Sequence, residues 1–119
     1  MSESSEHLRP VARLWSEHRR APFPAGLRGS EIGGTDLVLL DANTAGCVLT
    51  WLNNGGALDG QGIRALHECI EDLDRIVPRI TVPAGARYYA RLRQLAVHVA
   101  RACPDTPWSA PGRTAPGQG

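Results

Sequence analysis

Lysine is absent from this 119-residue chain, so all 13 of its basic residues are arginines. Without lysine there is no GKS/T phosphate loop, and the glycines of NNGGALDGQG at 53–62 read as an interhelical connection. Arginine with abundant alanine and glycine follows GC-rich codon usage, so an arginine-only surface says little about phosphate binding. No uncharged run approaches the ~20 residues that a membrane helix needs, and no basic segment followed by an apolar run opens the chain. Cys47, Cys69 and Cys103 are odd in number and lack CxxC spacing, which excludes a disulfide framework and the usual zinc ribbons. They sit in apolar-patterned stretches and read as reduced thiols of a cytoplasmic protein. The formal charge of +1 recommends neither an acidic nor a basic partner.

Structure is also sparse at both ends. Residues 1–8 are polar, and residues 104–119 hold four prolines and three glycines, too little apolar area to offset the entropy of ordering. The tail is expected to be disordered, with Trp108 as its one adhesive residue, folding back on the domain or docking as a short motif. What remains is about 70 to 95 residues, too few for a large enclosed substrate cavity.

Within that span the pattern is helical. In RPVARLWSEHRR (9–20), Val11, Leu14, Trp15 and His18 recur at i, i+3, i+4 and i+7, with Pro10 suited to a first turn. Residues 21–34, with two prolines and four glycines, form a linker, and no hairpin is evident. In residues 59–77, Ile63, Leu66, Ile70, Leu73 and Val77 share one face. Asp59 is the expected N-cap, Leu58 and Ile63 have staple spacing, and Pro78 should push Val77 out of the helical region. Residues 83–103 start at Pro83 and gather Tyr88, Leu92, Leu95, Ala96, Val99 and Cys103 on one arc.

TDLVLLDANTAG (35–46) is the one ambiguous stretch. As a strand, LVLLD resembles the third strand of a receiver domain, whose terminal Asp accepts a phosphoryl group. The acidic pair and the lysine that this chemistry needs are missing, and too little chain precedes Asp41 to supply the earlier βα units. As a helix it runs from about Asp36 to Asn54, capped by Thr35 or Asp36 and stopped by Gly55-Gly56. Leu37, Val38, Leu40, Val48, Leu49, Trp51 and Leu52 then fill an apolar arc of about 220°, as expected of a central helix covered on two sides. Asp41 falls in the middle of that arc, where an ionised carboxylate is costly unless paired. Arg91 and Tyr88 are the expected partners of a buried polar pair. The alternative is that this face is a partner-binding surface. Ala42 and Gly46 form a small notch, expected to receive the N-terminal segment rather than a second copy of the chain.

Charge divides unevenly between the last two helices. Residues 59–77 hold five acids against two arginines, whereas 79–103 hold five arginines and no acid. Complementary edges and solvated faces account for most of this. Arg87, Arg91, His98 and Arg101 nevertheless make a stripe that could meet phosphates or an acidic protein. A metal site is not expected, because His67 and Cys69 diverge by about 200° on a helix. His98 and Cys103 are about 140° apart, which argues against a cysteine nucleophile with a histidine base.

Taken in order, LVLLDANTAGCV, WLNNGGALD, L-x-x-C-I-x-D-L at 66–73, VP at 77–78 and Tyr88-Tyr89 resemble a group of small, arginine-rich actinomycete proteins over residues 33–102. The resemblance implies a cytoplasmic origin and a compact helical unit. The expected fold is all-α: a three-helix antiparallel bundle (35–103) with an additional N-terminal helix or arm (1–34) and a tail from residue 104. The expected function is non-enzymatic and cofactor-free, a protein–protein interaction or regulatory module with a protein partner. The expected contact residues are Arg87, Arg91, His98, Arg101 and Trp108. The alternatives are a nucleic-acid-associated accessory factor, and a small enzyme or ligand-binding bundle around Asp41. A homodimer is left open, and membrane association is not expected.

Overall fold

The ambiguous stretch is helix. In the structure, a computed structural model that describes residues 3–103, the Asp36 side chain accepts the Leu39 N–H at 3.0 Å and starts α2 (Leu37–Asn53). The helix stops as the glycines require: Gly56 N–H bonds to Trp51 O at 2.8 Å and Gly55 N–H to Leu52 O at 3.2 Å. Asp59 caps α3 (Gly60–Ile76) by accepting the Gly62 N–H at 2.7 Å, and Pro83 opens α4 (Pro83–Ala102). The protein is therefore all-α apart from one small hairpin. Trp108 and the rest of the expected tail lie outside the described residues.

Three local expectations need correction. The first helix, α1, spans Glu3–Arg20, so Pro10 sits inside it rather than in its first turn. Leu8 lies one turn upstream of Val11 on the same stripe and packs on the core, which carries the helix past the bond that proline removes. The second correction is that the 21–34 linker contains structure. Strand β1 (Glu31–Ile32) pairs antiparallel with β2 (Thr35–Asp36) through Gly33 and Gly34, at φ 58° and 83°. Two successive positive φ values define a tight hairpin turn that two glycines adopt without strain. Third, Val77 keeps helical angles (φ −56°, ψ −46°), and the chain leaves through a 3-10 turn at Val77–Arg79 before Ile80 becomes extended. Pro disfavours that conformation in its predecessor without forbidding it.

The N-terminal segment is a packed helix rather than a loose arm. It lies chiefly along α4, burying Val11 and His18, while α2 and α3 pack on each other and on α4. Trp51, Leu66, Leu73, Leu92, Leu95 and Val99 are fully buried where these helices meet. The arc expected on α4 is all inside, from Tyr88 to Cys103. The hairpin is held against the end of α3 by Arg75, which donates to the Thr35 hydroxyl at 2.7 Å. Arg93 of α4 pairs with Asp74 of α3, joining the oppositely charged helices.

Gly85 marks the tightest approach to α4. A Cβ there would lie 2.5 Å from Leu27 Cδ1 and 3.2 Å from Ile80 Cγ2, both on buried side chains. Gly85→Ala is expected to destabilise the protein by about 1–3 kcal/mol through overpacking, despite alanine's better helix propensity. Urea denaturation of the two proteins measures the difference.

Candidate functional site

Asp41 is the polar residue that the helical pattern strands among apolar ones, and two other helices bring partners to it. Its side chain is 18% exposed. The Tyr88 hydroxyl, from the first half of α4, donates to Oδ2 at 2.7 Å, and His18 Nε2, near the end of α1, stands 3.4 Å from Oδ1. A proton on Nε2 lets the ring donate to the carboxylate. It leaves Nδ1, which is buried without a partner, as a bare nitrogen rather than an orphaned donor. Tyr89, next along α4, donates to the Leu37 carbonyl at 2.6 Å and ties α4 to the start of α2.

Arg91 does not complete the pair: it makes no ion pair with Asp41, and its charge acts on Tyr88 only through space. The guanidinium is half-buried at the edge of α4, and His18 occupies the place expected for it. Around the carboxylate the ring centroids of His18 and Tyr88 are 4.5 Å apart, Tyr88 and Tyr89 5.3 Å, and Phe23 and Tyr88 5.4 Å. Burial, the hydrogen bond to Asp41 and the Asp41 charge all raise the Tyr88 pKa; burial and the same charge raise that of Tyr89. Both tyrosines remain donors over the physiological range. Neither of the two open clefts described below is lined by Asp41, His18 or Tyr88, and the bonds of the cluster join α1, α2 and α4.

The outer side of α2 is different. α3 and α4 both pack on this helix, as expected of a central one, but Val38, Leu39 and Leu49 are 39%, 57% and 41% exposed, so part of its apolar arc stays open. Gly46 receives nothing from the N-terminal segment: a Cβ there would meet no atom within 4 Å. With Ala42 it opens instead onto a cleft of about 410 Å³ that continues to Leu58 and Gly62. On α4, Arg87 and Arg101 are exposed and Arg91 and His98 half-buried. Among the described residues none of these three arginines forms an ion pair.

A second cleft, of about 390 Å³, lies between α2 and α3 and is lined by Cys47, Cys69, Asp36, Glu68 and Asp72. Cys69 and Cys103 are buried as expected of core thiols, but Cys47 is half-buried at this opening. The Cys47 thiol donates to the Cys69 sulfur. That bond holds the Cys47 proton and pushes its pKa up, and it draws Cys69 down to about 7 against the opposing effect of burial. Burial alone raises Cys103.

Comparison of the chain with protein-family models, with curated proteins and with solved structures returned no match. Among the described residues no helix is long and apolar enough to cross a membrane.

Two outcomes are expected of the buried polar groups. Asp41→Asn and Tyr88→Phe should each lower stability by about 1–2 kcal/mol, and the double variant should lose less than the sum, because the two share one bond. An unchanged melting temperature for Asp41→Asn would show that the bond contributes nothing. His67 is buried, and burial lowers its pKa below the ordinary 6.5, partly opposed by Glu71. The unfolded chain then binds the proton more readily than the folded one. Stability is full above about pH 6.5 and falls as pH drops below it, a slope that His67→Gln should reduce in denaturation series across that range.

Proposed function

We propose that the protein is a non-enzymatic helical interaction module, and that it binds another protein through the outer face of α2. The observation that carries this reading is the open apolar row Val38, Leu39 and Leu49, flattened at its middle by Ala42 and Gly46. Positions 38, 42, 46 and 49 follow the helical repeat, the spacing by which an amphipathic helix lies in a partner's apolar groove. The face is also free of charge: Asp41 is the only ionisable carboxylate or base in α2, and it turns inward to Tyr88. These leucine and valine side chains, left 39% to 57% exposed on one side of a helix, form a small apolar patch. Burying those side chains contributes about 1–2 kcal/mol each, enough to matter for binding but not enough for tight binding without further contacts.

The unpaired arginines of α4 favour a second reading, attachment to an acidic protein or to nucleic acid through Arg87, Arg91 and Arg101 with His98. A net charge of +1 provides little long-range attraction, which ranks this surface second.

The two surfaces can be separated by capture on the immobilised full chain from an extract of its own cells. Leu39→Glu with Leu49→Glu is expected to reduce specific retention by about tenfold or more, as a buried charge is expensive. Arg87→Glu with Arg91→Glu should leave it intact, and both variants should keep the wild-type melting temperature, since all four positions lie at the surface or its edge. Retention that survives the α2 variant overturns the reading. Salt-sensitive retention of nucleic acid lost only in the arginine variant would establish the second one.

A further inference from the structure

We infer that Cys47 and Cys69 form a thiol–disulfide couple, a reactive site in the α2–α3 cleft that exchanges with small disulfides and closes to a bond between the two helices. Cys47 on α2 and Cys69 on α3 line one cleft, where each shifts the pKa of the other and the Thr44 hydroxyl acts on Cys69. They are unequal in access: Cys47 is half-buried and Cys69 buried, and both line the same open cleft. An incoming disulfide therefore meets Cys47 first, whose raised pKa makes that attack slow and faster at high pH, with Cys69 behind it in the position of a resolving thiol. Cys103, the remaining cysteine, is buried at the end of α4 and lines neither cleft.

The chemistry balances with a low-molecular-weight disulfide as oxidant. Cys47 sulfur, after losing its proton to solvent, attacks one sulfur of the reagent. The reagent's S–S bond breaks, and the first small thiolate leaves and takes up a proton from water. The Cys69 sulfur, after losing its proton to solvent, attacks the Cys47 sulfur of the mixed disulfide and expels the second small thiolate. The two cysteines lose two electrons and two protons, and the reagent gains both as two thiols.

The rim also selects the reagent. Asp36 at the cap of α2 and Glu68 and Asp72 on α3 surround the opening, and of the three only Asp72 is paired with an arginine, Arg75. A cationic disulfide such as cystamine should react faster than an anionic one such as oxidised glutathione, by about tenfold at low ionic strength, and the ratio should shrink with added salt.

The test uses the reduced full chain with each reagent, quenched by acid and read by intact mass and peptide mapping. The expected product is a Cys47–Cys69 cross-link with Cys103 still alkylatable. Cys69→Ser should stop at the mixed disulfide on Cys47, and Cys47→Ser should react about tenfold more slowly than wild type. The wild-type map does not depend on how well either variant folds. A stable mixed disulfide on the wild-type protein, a bond involving Cys103, or cross-linking only between chains would each overturn the inference, as would faster reaction with the anionic reagent at low salt.

Discussion

A carboxylate on the apolar side of a helix has to be given hydrogen-bond donors by whatever packs against it, and in this protein that requirement organises the first helix as well as the last. Asp41 lies between the Tyr88 hydroxyl of α4 and the His18 ring of α1. The segment that follows α1 adds Phe23, edge-on to both tyrosines, and Arg28 stands over the Phe23 ring at 5.3 Å. Four parts of the chain are thereby drawn to one point, and α1 becomes a member of the bundle rather than an appendage. A shared carboxylate is directional where the surrounding leucines are not, so it constrains how α1 and α4 sit on α2.

That inward arrangement explains the outward one. Because Asp41, Leu37, Val48 and Trp51 face the other helices, the opposite side of α2 is left to solvent, and its sequence places Val38, Leu39 and Leu49 there rather than charged residues. The apolar arc of the helix is wider than the described elements cover. The uncovered side is a natural contact surface, and the two open clefts run along its edges, one at Ala42 and Gly46, the other at Cys47 and Cys69. The open side of α2 thus lies beside the cleft that holds the thiol pair.

Much of this architecture is legible in the residues. The caps at Asp36 and Asp59, the glycine stop after Asn54, the proline start at Pro83 and the buried arc of α4 all rest on interactions within a few residues, where backbone geometry and side-chain chemistry leave few options. Tyr88 as a neighbour of Asp41 could be anticipated from two helical wheels. His18 carried a signal too, as the one polar member of the Val11, Leu14, Trp15 stripe, but an arginine is the more usual answer to a carboxylate and drew attention to Arg91 instead. The hairpin at Gly33-Gly34 was signalled by the glycine pair and obscured by the shortness of its strands.

The sequence by itself determined where helices begin and end and which side of each is apolar, because those properties depend on neighbours one to four residues away. Only the tertiary structure decided how that apolar surface is shared out. It placed His18 of α1 rather than Arg91 beside Asp41, left Val38, Leu39 and Leu49 partly exposed, and brought Cys47 and Cys69 to one cleft across a connection of six residues, 54–59. The reason is that burial is a property of pairs of surfaces. A helix's own sequence says how much of it must leave water, and the packing of the other three says which part does.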